Sequence, residues 1–331
     1  MSFSICVVGC GGMSTGVHGP AYVKYAAERP DTCLAACCDL DEPKAVTYKN
    51  SLGFARHYAD FVKMLEVEKP AAVCLMAPVE LTCELSCRIL ELGYPLIMEK
   101  PPGMTVDEID RMIAAAKASG APTRVAFNRR YSPLLARLRS LLEESEPADI
   151  QHIRYDFTRV DRADADFTTT AIHGVDIVRF IAGSDYARVR FRYRHFPELG
   201  PATANILMDC ELTSGATAHL SFCPVSGQTA EGAVVHLHGR SYHLSLPLWG
   251  DLPGFLRLYE NDALALDISG AELCPSGEKF VVNGFYDENA SFFDDLRSGR
   301  RPAGDLANAR QSVEIMQCIR ERRSEYVPDK L

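Results

Sequence analysis

The sequence predicts an α/β fold in which an N-terminal doubly wound parallel sheet is followed by an α+β domain with a large, mostly antiparallel open sheet. In the first part, short apolar runs alternate with helical stretches, which is typical of a parallel sheet covered on both faces. In the second part, apolar and polar residues alternate within each run, which favours antiparallel strands with one solvated face. A length of 331 residues fits two domains, which we predict at residues 1–125 and 126–331.

Six strands and five helices are predicted in the first domain. The strands are residues 4–8, 33–38, 54–58, 71–76, 95–98 and 123–127, and the helices are 19–29, 43–52, 60–66, 81–92 and 106–119. Strong local signals support these bounds: the first run is followed at once by glycines, and Gly120 ends the last helix.

The second domain is predicted to contain seven strands and four helices. The strands are residues 150–157, 187–196, 204–212, 216–222, 233–238, 241–246 and 255–259, and the helices are 134–144, 168–182, 287–297 and 306–323. Turn signals such as Ser214-Gly215 separate neighbouring strands.

Composition excludes several classes of function. A net charge of −9 argues against nucleic acid and against anionic membranes as partners. The longest apolar stretch, residues 71–78, is far too short to span a membrane, and the first residues lack a basic leader. Twelve cysteines without a CxxC pair favour free thiols in a reducing cytoplasm and predict no metal site.

A glycine-rich segment, GCGGMS at residues 9–14, lies between the first strand and the first helix. This context favours a dinucleotide site of the Rossmann type: Gly9 permits a tight turn, and Gly11 lets the backbone approach a pyrophosphate. Gly12 and Met13 are predicted to contact the cofactor as well. Ser14 stands where the fingerprint has a third glycine, and a plain turn without a ligand is the alternative.

Asp39 ends the second strand, where a carboxylate accepts hydrogen bonds from the adenosine ribose and repels a 2′-phosphate. No Arg or Lys follows it directly, since the next residues are Leu40, Asp41 and Glu42. We therefore predict NAD, with NADP the less favoured cofactor. Taken alone, Asp39 is also compatible with a helix N-cap.

The fifth strand leads into Glu99-Lys100-Pro101-Pro102. Ligands bind at the carboxyl ends of strands in doubly wound sheets, so Lys100 is placed at that edge. An ordinary surface lysine is the alternative for Lys100 in isolation.

Taken together, the motifs resemble the Gfo/Idh/MocA oxidoreductase family. They are Gly9–Ser14, Asp39, Ala77-Pro78, Glu99-Lys100-Pro101, Asn128-Arg129-Arg130-Tyr131 and the IHGVD segment at 172–176, with Phe292, Gly299 and Pro302 near the C-terminus. The resemblance implies a Rossmann domain and an open-sheet domain, tightly held NAD(P), homo-oligomers, and hydride transfer at a secondary alcohol of a sugar, cyclitol or polyol. It also implies that Ala77, Pro78, Glu99 and Lys100 contact the cofactor.

The predicted chemical residues are Lys100 and His173. Oxidation of a carbinol needs a base of near-neutral pKa, which suits His173, and a cation beside the developing alkoxide, which suits Lys100. Asp176 lies one helical turn after His173 and is predicted to fix its tautomer. An interior histidine without a chemical role is the alternative.

Two positions depart from the family pattern. Thr169 stands one turn before His173, where many members have an Asp that supports the Lys–His pair, and Asp166 is the nearest substitute. Thr82 stands four residues after Pro78, where members often have a His. Both departures bear on the reaction more than on cofactor binding.

Substrate contacts are predicted at Arg129, Arg130 and Tyr131, which follow the sixth strand. The two arginines suit substrate hydroxyls, a carboxylate or the cofactor carboxamide, and solvent exposure is the alternative. Trp249, the only tryptophan, is a candidate sugar platform or an ordinary packing residue.

Three functions remain open on the sequence. The first is an NAD-dependent sugar or polyol dehydrogenase. The second is a glycoside hydrolase or lyase that oxidises its substrate transiently, and the third is an NAD-bound sensor without catalysis. The Arg-, Phe- and Tyr-rich strand around residues 188–194 is compatible with a homodimer or homotetramer.

Overall fold

The computed structural model describes residues 2–248 and 252–328. Its contacts divide the chain into two compact units: Met1–Asn128 with Lys279–Val313, and Arg129–Glu278 with Glu314–Leu331. The segment 279–313, which the predicted division assigns to the second domain, thus packs with the first unit. Trp249 lies outside the described residues.

The first unit contains a six-stranded sheet whose strand pairs are all parallel. The strands are β1 (Phe3–Val8), β2 (Thr32–Cys38), β3 (Arg56–Tyr58), β4 (Ala72–Leu75), β5 (Leu96–Glu99) and β6 (Thr123–Ala126). The helices between them are α1 (Gly19–Glu28), α2 (Glu42–Leu52), α3 (Phe61–Glu68), α4 (Val79–Glu91) and α5 (Val106–Ser119).

The spatial order β3-β2-β1-β4-β5-β6 confirms the predicted doubly wound sheet. The chain moves outward from β1 through β2 to β3 and then returns to the other side of β1 with β4. A crevice forms at the carboxyl ends of strands where the order reverses, which is here between β1 and β4.

The helix after the glycine segment begins earlier than the predicted start at residue 19. Helical backbone starts at Gly12, and Ser14–His18 forms one π-helical stretch directly before α1. A π-turn accommodates one extra residue in a helix. Apolar periodicity cannot reveal such a turn, because residues 12–16 are mostly glycine or small polar residues.

The remaining elements run from α6 (Pro133–Leu142) to β15 (Glu325–Tyr326). In chain order between them lie β7 (Ile150–Thr158), α7 (Thr168–Ala182), β8 (Tyr186–His195), β9 (Ala204–Leu212), β10 (Thr217–Cys223), β11 (Ala230–Leu237), β12 (Arg240–Ser245), β13 (Phe255–Glu260), β14 (Ala263–Ser269), α8 (Gly270–Leu273), α9 (Lys279–Val282), α10 (Phe285–Arg297) and α11 (Leu306–Arg320).

Helix α10 completes the core of the first unit. Phe293 packs against Phe3 and Tyr25, with ring centroids 5.8 and 5.0 Å apart. Arg124 on β6 is 2% exposed and donates to the backbone carbonyls of Glu288 (2.8 Å) and Ala303 (3.1 Å). These contacts explain why the segment 279–313 packs with the first unit although it is distant from it in sequence.

The second unit contains a nine-stranded sheet in the order β14-β13-β12-β11-β7-β10-β9-β8-β15. Every pair is antiparallel except β7 with β10, which confirms the predicted mostly antiparallel sheet. Helix α7 packs on it at Gly174, whose added Cβ would lie 2.7 Å from Phe222 and 2.8 Å from Tyr155. A glycine is therefore needed there for close approach.

The opposite face of this sheet is polar rather than aromatic at β8. Phe191 is buried, whereas Arg188 is half-buried and Arg190 and Arg192 are exposed. Their partners are the acidic side chains Asp209, Glu211 and Glu325.

Three further observations concern the described part of the chain. None of its helices is long and apolar enough to cross a membrane. All twelve cysteines are free thiols, and nine of them are buried. No group of three His, Cys, Asp or Glu side chains there is arranged to hold a metal ion.

Candidate cofactor and active site

Gly9 forms the tight turn at the end of β1. Its φ is 96°, and an added Cβ would lie 2.4 Å from the carbonyl oxygen of Met76, just after β4. Its N–H donates to the Cys38 carbonyl of β2 at 2.8 Å. Gly9 thus joins the ends of three neighbouring strands at a spacing that only glycine permits.

At Gly9 a neighbouring backbone occupies the position of a side chain, whereas at Gly11 and Gly12 that position is open. An added Cβ at either position meets nothing within 4 Å, and both residues are exposed, as is Met13. Ser14, at the place of the third glycine, is fully buried, and its hydroxyl donates to the Tyr48 hydroxyl of α2 at 3.0 Å. The open backbone before a helix fits a dinucleotide pyrophosphate.

Asp39 follows β2 and holds the glycine segment from the side. One carboxylate oxygen accepts the Cys10 N–H at 2.8 Å, and the other accepts the Asp41 N–H at 3.0 Å. The N-cap of α2 is Asp41, not Asp39. Asp39 is therefore not the cap of that helix, and its carboxylate adjoins the backbone that would cradle the cofactor.

Replacing Asp39 with Ala is expected to weaken NAD binding by about 10- to 100-fold, which corresponds to the loss of charge-assisted hydrogen bonds. Calorimetric titration with NAD measures the change. The matched control is Asp41→Ala, which removes a neighbouring exposed carboxylate that caps α2, and it should keep the wild-type affinity. Wild-type NAD affinity in the Asp39 variant would contradict the assignment.

Glu99, the last residue of β5, links the start of α1 to the Lys100 backbone. One of its carboxylate oxygens lies 2.9 Å from His18 Nε2, and the other accepts the Lys100 N–H at 2.9 Å. Burial raises the pKa of Glu99, but the hydrogen bond from His18 together with the neighbouring Lys100 outweighs burial and leaves the pKa below its ordinary value. The Lys100-Pro101 peptide bond is cis.

The tautomer of His18 follows from Asn289 on α10. The Asn289 amide nitrogen donates to the Phe285 carbonyl at 2.7 Å and lies 3.1 Å from His18 Nδ1. Since Nδ1 accepts that hydrogen bond, Nε2 carries the proton and donates to Glu99. Sequence reasoning missed His18 and Asn289, because neither lies in a glycine, Lys or His motif that the pattern singles out.

Ala77 and Pro78 follow β4 at the same sheet edge. Pro78 precedes α4, and its carbonyl accepts the Thr82 hydroxyl at 3.2 Å. Thr82 is 2% exposed, so a threonine hydroxyl closes the first turn of α4 where a histidine would otherwise stand.

In the second unit, His173 lies in the second turn of α7 and is 4% exposed. The Thr169 hydroxyl, one turn earlier, donates to the Asp166 carbonyl at 3.2 Å. Asp166 itself accepts the Thr168 N–H at 2.9 Å and Arg320 Nε at 2.8 Å. Burial raises its pKa, but these hydrogen bonds lower it further than burial raises it. Asp166, which directly precedes the N-cap Phe167, thus binds the first backbone N–H of α7 and pairs with Arg320.

Asp176, one turn after His173, binds Arg130 through both carboxylate oxygens. Arg130 Nε donates at 2.7 Å, and Nη2 donates to the second oxygen. The side chains are 11% and 1% exposed for Arg130 and Asp176. Arg130 therefore contacts α7 through a bidentate ion pair. That Asp176 fixes the tautomer of His173 stays a prediction.

Replacing Asp176 with Asn is expected to lower the free energy of unfolding by about 3–5 kcal/mol, because it leaves the Arg130 guanidinium buried without its counterion. Chemical denaturation measures the loss. Asp267→Asn is the control, since Asp267 and its partner Arg257 are both exposed (45% and 40%), and a loss below about 1 kcal/mol is expected. Equal losses in the two variants would contradict the interpretation.

Arg129 belongs to a buried charge cluster that sequence reasoning did not find. Glu231 on β11 is 0% exposed and lies between Arg129, with Nε–Oε1 2.6 Å, and Arg159, with Nη2–Oε2 2.6 Å. The Tyr155 hydroxyl donates to the same carboxylate. Glu231 shares the inward face of β11 with apolar residues, and a lone charge on that face was the available signal. Tyr131 closes the short 3₁₀ turn that carries both arginines.

Comparison with known proteins agrees with this geometry. Residues 3–127 match the model of the Gfo/Idh/MocA oxidoreductase family, described as having an NAD-binding Rossmann fold. Over these residues the chain is similar to the NAD-binding domain of that family. The predicted family and the predicted cofactor, NAD, are thereby confirmed.

Curated relatives are distant. The chain is similar to the uncharacterized oxidoreductase YrbE of Bacillus subtilis (21% identity over 54% of each chain). It is also similar to an inositol 2-dehydrogenase of Pseudomonas fluorescens, at 24% identity over 91% of this chain and 88% of the relative. The first three relatives are matched over only 54%, 42% and 35% of their lengths, so the chain spans about half or less of them.

The fold extends over the whole chain in solved structures. A levoglucosan dehydrogenase in complex with NADH and levoglucosan superposes with a TM-score of 0.84 at 18% identity, covering 99% of this chain and 100% of that one. The predicted combination of a Rossmann domain with an open-sheet domain is therefore confirmed.

Proposed function

We propose that this chain is an NAD-dependent dehydrogenase that transfers a hydride between NAD and a secondary alcohol or ketone of a sugar, cyclitol or related polyol. One observation carries the proposal: Lys100 directly follows β5, on the sheet edge that also carries the glycine segment. Strand β5 neighbours β4, whose end meets Gly9. A cofactor with its pyrophosphate at the β1–β4 crevice would extend toward that lysine.

The residues around the crevice fit NAD. Gly11 and Gly12 leave room for the pyrophosphate, Asp39 would accept the ribose hydroxyls, and no Arg or Lys among residues 40–42 would meet a 2′-phosphate. Bound NAD supplies a hydride acceptor. Met13, Ala77, Pro78 and Glu99 are proposed to line the remainder of the site.

The chemistry required of the protein is proton transfer and charge stabilisation. The Lys100 ammonium would stabilise the alkoxide that develops at the carbinol oxygen, and His173 would take the hydroxyl proton. The Arg130–Asp176 pair would hold the turn of α7 that follows His173. Tyr131 is proposed as a further substrate contact, and Thr169 would hold the start of α7 rather than move a proton.

Similar proteins support the substrate class. The Pseudomonas fluorescens relative is an inositol 2-dehydrogenase, and the structural relative binds levoglucosan. Both ligands are cyclic compounds with secondary hydroxyl groups.

A turnover screen tests the proposal. The purified chain is incubated with NAD and a panel of cyclitols, hexoses and anhydrosugars, and NADH formation is followed by absorbance. Ketone products are tested in reverse with NADH. NAD-dependent oxidation of at least one polyol is expected, and NAD binding without turnover of any compound would contradict the proposal.

The same screen separates the two alternatives. A lyase or hydrolase would cleave glycosides without net NADH, because the hydride returns to the substrate. A sensor would bind NAD and a sugar without converting either. Both alternatives are tested because Thr169 and Thr82 depart from the family pattern and their hydroxyls bind backbone carbonyls.

We also propose that the chain forms a homodimer or homotetramer and acts in the cytoplasm. The exposed face of β8 supports the first, because its arginines and their acidic neighbours would be complementary to the same face of a second copy. The buried free thiols support the second. Light scattering of the purified protein measures the oligomeric state.

A further inference from the structure

The buried cluster of Arg129, Arg159 and Glu231 carries more positive than negative charge. Guanidinium groups stay protonated, so two positive charges face one carboxylate. The three side chains are 12%, 9% and 0% exposed. Among the described residues, no second carboxylate contacts either arginine. One positive charge therefore stays uncompensated in a site largely withdrawn from water.

Charge and burial shift the pKa values of Glu231 and Arg159 in this cluster. Burial raises the pKa of Glu231, but Arg129 and Arg159 lower it further, so the carboxylate is ionised. Burial lowers the pKa of Arg159 despite Glu231, which indicates that the pair does not fully replace its hydration. A buried charge of this kind is stabilised by a counterion.

The two arginines differ in what they still offer. Arg159 donates to Glu231 and to the carbonyls of Thr158 (2.8 Å) and Ala230 (3.3 Å), and its guanidinium lies 3.6 Å from the Phe157 ring centroid. Arg129 donates only to Glu231, through one side of its fork. Its Nη1 group has no acceptor in the part of the chain that the structure describes.

The position of Arg129 relates this group to the proposed chemistry. Arg129 precedes Arg130, which binds Asp176 one turn after His173. The short turn therefore places Arg129 against the sheet and the next residue, Arg130, against α7, both within the second unit.

We infer that the substrate carries a carboxylate, and that Arg129 binds it. The proposal rests on the function proposed above and names its substrate class as sugar or polyol acids. A monoanion matches the single uncompensated charge, and the planar carboxylate matches the outer side of the guanidinium fork. Arg159 and Tyr155 would hold Glu231, which in turn orients Arg129.

Matched ligand pairs test the inference on the intact, NADH-loaded protein. Calorimetric titrations compare glucuronate, galacturonate and gluconate with glucose, galactose and glucitol, and glucose 6-phosphate serves as the phosphate probe. At least one acid is expected to bind 10-fold or more tightly than its neutral counterpart. Arg129→Gln should weaken that acid by about 10- to 100-fold and leave the neutral compound unchanged.

Several results would overturn the inference. They are the absence of binding by every acid, equal binding of acid and neutral compound, tighter binding of the phosphate, or an equal loss of both ligands in Arg129→Gln. The comparison of acid with neutral ligand on the wild-type protein tests the inference even if Arg129→Gln does not fold. Arg129→Lys keeps the positive charge but loses the planar guanidinium, so it should retain part of the preference for the acid.

Failure of this inference is distinguishable from failure of the proposed function. NAD-dependent turnover of a neutral polyol, with no acid bound, would support the dehydrogenase proposal and contradict the inference that the substrate carries a carboxylate. Tight binding of an acid without any NAD-coupled conversion would support the carboxylate site and contradict the dehydrogenase proposal.

Discussion

Replacing Lys100 with Met is expected to reduce hydride transfer by at least about 10³-fold while NAD binding stays within twofold of wild type. A preorganised charge at a developing oxyanion typically contributes 10²- to 10³-fold, and correct proton transfer contributes a further 10²- to 10⁴-fold. Methionine keeps the length of the side chain but removes the ammonium. Turnover of the substrate found in the screen, and titration with NAD, measure the two effects separately.

The control for this variant is Lys117→Met. Lys117 lies in the last turn of α5, is exposed, and differs from Lys100 in having no place at the sheet edge. It should keep full activity. If Lys100→Met retained more than a tenth of the wild-type rate, Lys100 would not be a catalytic residue and the chemical part of the proposed function would have to be reassigned.

The first sheet could be predicted because its strands are buried on both faces. Runs such as that of β4, whose four residues are all buried, are apolar throughout and stand out between amphipathic helices. Strand β14 was missed for the opposite reason. It lies at the edge of the second sheet, four of its first five residues are exposed, and burial imposes little alternation on it.

The candidate site was predictable where a local motif carries the chemistry. Gly9, Asp39 and Lys100 each stand at the end of a strand, and the topology brings strand ends to one edge. Contacts between distant segments were not predictable. The pairing of Arg130 with Asp176 and of Arg129 with Glu231 depends on how the 3₁₀ turn, helix α7 and the second sheet meet, which no spacing along the chain encodes.

Charge on an apolar face would have been a usable signal for the second of these contacts. Along β11, Glu231 alternates in phase with Ala233, Val235 and Leu237, all buried. A carboxylate in that position requires a buried cation, and arginine is the cation that tolerates burial best. The pattern could therefore have predicted an arginine partner, but not which arginine.

Replacing Gly9 with Ala is expected to destabilise the first unit by about 1–3 kcal/mol from backbone strain, with a further loss from displacement of the Met76 carbonyl. The strain arises because Gly9 has a φ of 96°, and the displacement because the added Cβ would lie 2.4 Å from the Met76 oxygen. A lower midpoint of thermal unfolding measures the effect, and NAD affinity should fall with it because the turn itself shifts.

Gly11→Ala provides the contrast within the same motif. Its added Cβ meets nothing within 4 Å, so the thermal midpoint should stay at the wild-type value. NAD affinity should nevertheless fall about 10-fold or more, because the methyl group occupies the space through which the pyrophosphate approaches the backbone. Gly12→Ala, equally open, should likewise keep the wild-type thermal midpoint and lower NAD affinity. A stable Gly9 variant, or wild-type NAD affinity in Gly11→Ala, would contradict this division between a glycine required by the fold and a glycine required by the ligand.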